Sequence, residues 1–364
     1  MVGGAGAAGA ALALAVCAWG AAPPTTGTAL PRPARTLDLR VGARGRYVGC
    51  FQRPATVLGR AAPRAGPRGD QYVLLDTRTG DANAVASLLP MGAAAGLAAL
   101  SGEIEFSPSG RFVVVHAVGD PTSPEGASVA FLVDLRGPTA AKLAGGMMVQ
   151  GRWVGHSVAV SVLRGGEGFA PIKLVPAAGG LTRELPVRGL ALAGDEQGTA
   201  MLLLADPKAP AAAVSPAELR RRGRLLLADG DGKVARELGA PDELPQRHAV
   251  SPAGKWFALQ AGGAKGRTWL VSPAGGTLTA VAAAGRLIGV DDAGRAVTLG
   301  WPGTASAPTG PAWVRAWTAD GKSADLLGAE ANVLDACVSG GRVYYAVAAA
   351  GGGVDLRWRA LAGQ

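Results

Sequence analysis

A short motif that recurs about every 49 residues constrains the fold of this chain more than any other feature. The clearest copies are Ser107-Pro108-Ser109-Gly110-Arg111 before Phe112–Val115, and Ser251-Pro252-Ala253-Gly254-Lys255 before Trp256–Leu259. Proline presets the φ angle at the first position of a turn, and glycine allows the positive φ that ends it. The apolar run that follows predicts a buried strand, so each copy predicts a hairpin turn that leads into a strand.

Seven repeat units are found when weaker forms of the turn are included. Their turn glycines are Gly45, Gly110, Gly151, Gly198, Gly254, Gly294 and Gly341. Each turn is followed by a second apolar segment that ends at another turn, as Phe131–Asp134 does before Gly137. Two hairpins give four strands, and four strands with a period in the forties are typical of a β-propeller blade. The sequence therefore predicts an all-β propeller of seven four-stranded blades, with six or eight left open by the weaker copies.

Composition agrees with this fold class. The 364 residues include 56 glycines and 25 prolines, and only 17% of them are charged. Long helices and coiled coils need runs that lack both chain breakers, so all-helical architectures are excluded. Recurrent Val- and Leu-rich runs can fill a core, which argues against a disordered chain.

The repeat resembles that of TolB-type, WD-repeat-like propellers. The shared pattern is a Ser-Pro-x-Gly-Arg/Lys turn, an apolar strand, and a second apolar strand that ends in Asp before a Gly turn. The resemblance covers about residues 35–364, and the copies at Gly110 and Gly254 match it most closely. It implies a propeller with a binding or scaffolding role. No Trp-Asp dipeptide ends a repeat strand, and the resemblance transfers no catalytic residue to this chain.

The N-terminal segment has the pattern of a secretory leader. No charged residue precedes Arg32, and Ala10–Ala18 is an apolar run of the length that a signal-peptide core needs. Small residues at Ala18 and Gly20 predict cleavage after Gly20. We therefore expect a signal peptide at 1–20, a linker with a closing strand at 21–34, a propeller at 35–364, and export to the periplasm, cell surface or medium. Lipid attachment at Cys17 and retention as an anchor are the alternatives.

The last repeat unit predicts how the ring closes. It supplies three strands and then ends, so residues within 25–39 are expected to add as its outer strand, because an open edge invites aggregation. Closure makes the first and last units neighbours, and these units hold Cys50 and Cys337. An exported protein can keep a disulfide between them, and two free thiols are the alternative.

Few residues have a pattern that indicates catalysis or metal binding. His116, His156 and His248 lack the spacing of metal ligands, and no Gly-x-Ser-x-Gly motif occurs. The acidic pairs Asp195-Glu196 and Asp291-Asp292 fall in predicted turns, where solvated turn residues are expected. We therefore predict no catalytic residue, no metal site and no cofactor.

Basic residues are the strongest candidates for binding. The formal net charge is +9, and arginines cluster in two long loops, 52–70 and 205–224. These loops are predicted on the same face of the propeller, so we take their arginines as a candidate site for an anionic ligand: Arg53, Arg60, Arg64, Arg68, Arg220, Arg221, Arg222 and Arg224. Ser215-Pro216-Ala217-Glu218 has the form of a capping box and predicts a short helix that ends in arginines. A solvated rim without a ligand is the alternative.

These observations favour an exported, monomeric, non-enzymatic propeller that acts as a binding or scaffold module. Its expected partner is a protein or an anionic polymer, with no sequence-specific binding of nucleic acid and no transmembrane span beyond the leader. Two other functions remain open. One is a propeller enzyme with an active site in the central channel, and the other is a polyanion-binding protein of the cell surface.

Overall fold

The computed structural model describes most of the chain from residue 28 to residue 361. The described residues are 28–30, 38–42, 45–52, 56–57, 60–61, 71–89, 99–118, 127–137, 139–208, 213–239, 244–261, 266–301, 303–304, 307–308, 312–327, 333–349 and 353–361. The predicted signal peptide and its cleavage site lie outside them.

The first three repeat units supply the strands up to Gly194. The segment before the first unit forms β1 (Thr28–Leu30). The first unit forms β2 (Arg40–Gly42), β3 (Tyr47–Gln52), a small ribbon of β4 (Thr56–Val57) and β5 (Arg60–Ala61), β6 (Gln71–Asp76), β7 (Ala82–Ala84) and a 3-10 turn at Val85–Leu88. The second unit forms β8 (Ala99–Phe106), β9 (Phe112–Val118), β10 (Ser128–Asp134) and β11 (Thr139–Gly146). The third unit forms β12 (Met148–Val154), β13 (Ser157–Arg164), β14 (Gly168–Phe169), β15 (Pro171–Pro176) and the start of β16 (Arg183–Gly194).

The remaining four units supply the other strands and a helix. The fourth unit continues β16 with β17 (Ala200–Ala205), helix α1 (Pro216–Arg222), β18 (Arg224–Asp229) and β19 (Val234–Gly239). The fifth unit forms β20 (Pro245–Val250), β21 (Phe257–Ala261), β22 (Thr268–Ser272) and β23 (Thr277–Val281). The sixth unit forms β24 (Arg286–Val290), β25 (Ala296–Gly300), a ribbon of β26 (Gly303–Thr304) and β27 (Ala307–Pro308), β28 (Trp313–Trp317) and β29 (Ser323–Asp325). The last unit forms β30 (Val333–Ser339), β31 (Arg342–Ala348) and β32 (Val354–Ala360).

The molecule is an all-β propeller built from antiparallel sheets, as the repeat predicts. Five sheets have four strands each, and the strand order in four of them follows the chain from the inner to the outer edge, as in β8-β9-β10-β11. The turns that join the first strand to the second, and the third to the fourth, lie at one end of each sheet. We call this end the bottom face. The connections from the second strand to the third, and from one sheet to the next, lie at the opposite end, the top face.

The predicted number of blades is wrong: the described residues form five separate four-stranded blades rather than seven, six or eight. The third and fourth repeat units join in one sheet of eight strands. The continuous strand β16 is the reason: its first part pairs with β15, and its second part, from Gly189 onward, pairs with β17. One strand is thus the outer strand of the third unit and the inner strand of the fourth.

The turn of the third unit also differs from the sequence prediction. Gly151 does not form the turn but lies inside β12, opposite Val160. The turn is at Gly155, which has a φ of +57°, and the second strand of the unit begins at Ser157. The other six predicted turn glycines all have positive φ, including Gly110 at +67° and Gly254 at +69°. The third turn was misplaced because Gln150-Gly151-Arg152 before Trp153-Val154 has the Gly-basic-apolar pattern of the other turns, although these residues lie inside a strand.

The ring closes through the N-terminal strand. Strand β1 pairs antiparallel with β32, with Thr28 opposite Leu356, Ala29 opposite Asp355 and Leu30 opposite Val354. The last sheet therefore has the order β1-β32-β31-β30. This is the arrangement that the ring-closure prediction gives for part of residues 25–39.

The hydrophobic core lies between neighbouring units rather than within one of them. Leu74 of the first unit packs in one cluster with Val115 and Phe131 of the second. A similar cluster joins the last unit to the first through Tyr344 and Val48. Each sheet therefore buries its two faces against its neighbours, and the closed ring leaves the inner strands around a central channel.

Candidate functional site

Helix α1 presents arginines on the top face. It lies in the connection between the second and third strands of the fourth unit. Its N-terminus has the predicted capping box: the backbone N–H of Glu218 donates to Ser215 Oγ at 3.2 Å, and the N–H of Ser215 donates to Glu218 Oε2 at 3.0 Å. The hydrogen bonds from Ser215 lower the pKa of Glu218, so the box is held by an ionised carboxylate.

The helix is fixed to the body of the propeller by its apolar side. Leu219 is 2% exposed and packs with Val214 in a core cluster that includes Leu204 and Leu225. The N–H of Gly223 donates to the carbonyl of Leu219 at 2.9 Å and ends the helix. The last turn consists of Arg220, Arg221 and Arg222, and all three are exposed. A short helix therefore holds three guanidinium groups at the surface on a rigid support.

Arg224 has a different role from these three. It begins β18, and its Nε is 3.4 Å from Glu237 Oε1 on the neighbouring strand β19. Its Nη1 also donates to the carbonyl of Gly223 at 3.1 Å. Because Arg224 is engaged by the protein itself, we restrict the candidate site on α1 to the three preceding arginines.

The first arginine loop remains a prediction. Arg60 lies in β5, where it pairs with Val57. Arg53, Arg64 and Arg68 lie outside the described residues. The structure therefore describes the arginines of the second loop, at α1, and a joint site of all eight arginines stays a prediction.

A second group of charged residues occupies the channel. Arg152 of β12 donates through Nη1 to Glu105 Oε1 of β8, and His248 Nε2 of β20 is 3.2 Å from the same oxygen. These strands belong to the third, second and fifth units, so the contact between Glu105 and His248 crosses the channel. Neither Glu105 nor Arg152 carried a recognisable sequence signal, because ring geometry alone brings the three strands together.

The electrostatics of this channel cluster favour a fixed charge state. Burial alone would raise the pKa of Glu105, but Arg152 and His248 outweigh burial and lower it to about 2. Burial and the adjacent Arg152 lower the pKa of His248. At neutral pH the cluster therefore consists of an ionised carboxylate, a guanidinium and a neutral imidazole. Such a carboxylate holds no proton to donate, so the cluster is suited to fastening three inner strands rather than to general acid catalysis.

The other two histidines have separate surroundings. His116 is buried, and its Nε2 accepts a 2.9 Å hydrogen bond from the N–H of Gly151, which links the second unit to the third. His156 lines a cavity of about 400 Å³ on the bottom face, between the third and fourth units. Arg183 and Asp231 also line this cavity, and they form an ion pair with each other. Among the residues that the structure describes, no group of three or more His, Cys, Asp or Glu is arranged to hold a metal ion.

The first acid of each predicted pair is less exposed than the sequence suggests, whereas Glu196 is exposed as predicted. Asp195 and Asp291 are each 4% exposed, whereas solvated side chains were expected. Asp195 Oδ1 accepts a 2.7 Å hydrogen bond from the N–H of Thr199, and Asp291 Oδ1 accepts one of 2.8 Å from the N–H of Arg295. These carboxylates are buried because they satisfy the backbone donors of the bottom-face turns. Ser251 has the same role in the fifth unit, where it accepts from Lys255.

Two of the three cysteines, Cys50 and Cys337, lie in the described part of the chain, and neither is in a disulfide. Cys50 and Cys337 are buried in the cluster that joins the first and last units, and the disulfide that the sequence allows is not formed. Burial and the nearby Asp335 raise the pKa of Cys337 to about 12. The thiol is therefore protonated and poorly reactive at neutral pH.

Comparison with solved structures supports the fold class. A chain of the mitotic checkpoint complex is 13% identical, with a TM-score of 0.53 over 92% of this chain and 91% of that chain. The β-propeller domain of Cps50 (Swd1) from Myceliophteria thermophila is 12% identical, with a TM-score of 0.52 over 91% of this chain and 98% of that chain. TolB from Acinetobacter baumannii is 17% identical, with a TM-score of 0.40 over 64% of this chain and 50% of that chain.

At these identities the comparisons show the fold alone, a β-propeller. No protein-family model and no curated protein matches the sequence. Within the described part of the chain, we find no helix that is both long and apolar enough to cross a bilayer.

Proposed function

We propose that this chain is an exported, non-enzymatic binding module that recognises an anionic polymer with the top face of the propeller. The observation that carries the proposal is the fixed helix α1, which holds Arg220, Arg221 and Arg222 at the surface. Counting the fused sheet as two units, we also infer a ring of seven four-stranded units.

The rigid support of α1 favours binding, because little backbone freedom remains to be lost. The capping box fixes one end of the helix, and Leu219 anchors its middle. Guanidinium groups donate paired N–H bonds to the oxygens of phosphate, sulfate or carboxylate groups. The net charge of +9 adds a long-range attraction toward such polymers. A uronic-acid or phosphate-bearing polymer therefore fits this surface.

Retention on heparin tests the proposal. The variant carries Arg220→Ser, Arg221→Ser and Arg222→Ser, and it should elute at lower salt than the unmodified protein. A matched control removes three exposed cations from bottom-face turns, with Arg78→Ser, Arg136→Ser and Lys255→Ser. Both variants lose three positive charges, so a difference between them reports position rather than net charge. Equal elution of both variants would contradict recognition through α1.

Export is a separate part of the proposal and has its own test. The Ala10–Ala18 run and the small residues before position 21 support it. The chain is expressed with its leader in a bacterial host, and the periplasmic fraction is analysed by N-terminal sequencing. We expect a mature protein that begins at Ala21. A cytoplasmic protein that retains residues 1–20 would contradict export.

A further inference from the structure

The cavity on the bottom face, between the third and fourth units, is lined by turns that meet at glycines. Its volume of about 400 Å³ is in the range of small-molecule sites, roughly 300–1,000 Å³. A Cβ atom on Gly155 would lie 2.9 Å from the Cα atom of Gly198, and one on Gly230 would overlap the carbonyl oxygen of Gly198. The turns therefore pack backbone against backbone. The polar residues next to these glycines in the chain also line the cavity: His156, Gln197, Asp229 and Asp231.

Three uncharged polar residues of this lining have unused hydrogen-bonding groups. His156 and Gln197 are exposed, and Ser157 is half-buried. Among the described residues, the side chains of these three make no hydrogen bond with the protein. An amide and a hydroxyl each donate and accept, and a neutral imidazole has one donor and one acceptor. The lining therefore offers both donors and acceptors to a ligand.

The charged residues of the lining make it unfavourable for an anion. Arg183 is engaged by the turn of the fourth unit, because it pairs with Asp231 Oδ1 and its Nη2 donates to the carbonyl of Gly230 at 2.9 Å. Asp229 Oδ1 accepts from the N–H groups of Asp231 and Lys233, both at 2.9 Å. In the described part of the chain, Oδ2 of each aspartate has no hydrogen bond. Two carboxylates thus face one guanidinium, which leaves one negative charge in excess.

We propose that this bottom-face cavity binds a neutral polyhydroxy compound, a sugar. A hydroxyl group both donates and accepts, so it can use the two kinds of group that the lining offers. An anion would be repelled by the excess negative charge, and a simple cation would leave the donors of Gln197 and Ser157 unused. Val154 and Leu174 are buried in the lining and supply an apolar surface for the C–H groups of a sugar ring. The cavity and α1 lie on opposite faces, so the proposal does not depend on binding of a polymer at α1.

Saturation-transfer difference NMR on the full chain tests the proposal. The neutral probes are D-glucose, D-galactose, D-mannose and N-acetyl-D-glucosamine, and the anionic probes are D-glucuronate and D-galacturonate. We expect at least one neutral sugar to bind, and the uronates to bind more weakly because of the excess negative charge. Binding of none of the four neutral sugars, or tighter binding of the uronates, would overturn the proposal.

A matched pair of variants locates the site. Gln197→Ala should raise the Kd of the sugar that binds by roughly threefold to tenfold, because the hydrogen bonds of the amide are lost. Gln246→Ala removes the same amide from an exposed position of the inner strand β20 and should leave the Kd unchanged. His156→Ala should also weaken binding, and it provides the test if Gln197→Ala does not fold. Equal Kd values for the cavity variants and the control would contradict binding in this cavity.

The α1 variant separates this proposal from the proposed function. The Arg220→Ser, Arg221→Ser, Arg222→Ser protein should bind the neutral sugar as the unmodified protein does, whatever its retention on heparin. If this variant loses sugar binding while Gln197→Ala keeps it, the sugar binds at the helix and the cavity site is wrong.

Discussion

At the residue scale, an ion pair accounts for part of the repeated motif in the first two units. Arg111, which follows the turn glycine, donates to Asp134 Oδ2 through Nη2 at 2.7 Å and through Nε at 3.1 Å. The first unit has the same pair, with Arg46 Nη2 at 3.1 Å from Asp76 Oδ2. In these two units the basic residue after the turn and the Asp that ends the third strand therefore join the two bottom-face turns. The fifth unit lacks the pair, because its third strand ends at Ser272.

The channel cluster makes the stability of the fold depend on pH. The pKa of Glu105 is lowered from an ordinary value of 4.5 to about 2 in the folded state. A lowered carboxyl pKa contributes stability that is complete above the unfolded value and is lost as the pH falls from about 4.5 toward 2. The contribution is on the order of 3 kcal/mol, since each pKa unit corresponds to about 1.4 kcal/mol.

The variant Glu105→Gln tests this contribution. It should be less stable than the unmodified protein at pH 7, and the difference should shrink as the pH falls through the window between about 4.5 and 2. Urea unfolding followed by circular dichroism across this range measures both curves. If the difference in unfolding free energy between the two proteins does not change with pH, the role assigned to Glu105 is contradicted.

At the element scale, the fused sheet depends on one glycine. Gly189 has a φ of +149° and lies where β16 changes its pairing from β15 to β17. A Cβ atom at this position would lie 2.2 Å from the carbonyl oxygen of Leu204, and a backbone atom in a paired strand cannot move away. At the junction of the two units, a side chain at position 189 would therefore clash with the paired strand.

We predict that Gly189→Ala destabilises the protein by about 3 kcal/mol or more, because backbone strain and a backbone clash combine. Gly166→Ala is the matched control. Gly166 also has a positive φ, of +75°, but nothing lies within 4 Å of its added Cβ. The control substitution Gly166→Ala should lower the free energy of unfolding by about 1 kcal/mol. Chemical denaturation measures the free energy of unfolding of both variants. If both lose the same amount of stability, the close approach to Leu204 is unimportant.

The closing strand is the second element with a testable role. A protein that starts at residue 31 lacks β1 and exposes the edge of β32, whereas a protein that starts at residue 28 keeps all three strand pairs. We expect the first to melt several degrees below the second and to aggregate more readily, because the open edge is unpaired. Differential scanning calorimetry compares them. The same melting temperature for both would mean that β1 does not contribute to ring closure.

Local signals made most of these elements predictable. The capping box at Ser215 predicted α1, and the Ser-Pro-x-Gly turns at Gly110 and Gly254 predicted their hairpins, because these patterns act within a few residues. The third turn was misplaced at Gly151 because Gly151-Arg152 before an apolar pair imitates the pattern of the other turns, whereas the turn itself is at Gly155. The sharing of β16 could not be predicted, since it depends on how two sheets meet rather than on a local pattern.

At the scale of the whole molecule, function depends on what the ring brings together. Glu105 and His248 are neighbours because the second and fifth units face each other across the channel. Such contacts have no local sequence pattern, so the channel groups could not be predicted. The arginines of α1 could be predicted, because the capping box and the run of arginines both lie within 205–224. The top face and the channel are thus two surfaces with separate chemistry on one scaffold.

Hydrogen exchange with and without a heparin oligosaccharide tests most directly that the top face is the binding face. Amide exchange is followed by mass spectrometry in peptides from 213–224 and, for comparison, from the bottom-face turns near Gly110 and Gly254. The account predicts slower exchange in 213–224 when the oligosaccharide is present, with the bottom-face peptides unchanged. Protection confined to the bottom-face turns, or no protection in 213–224 at saturating oligosaccharide, would contradict it.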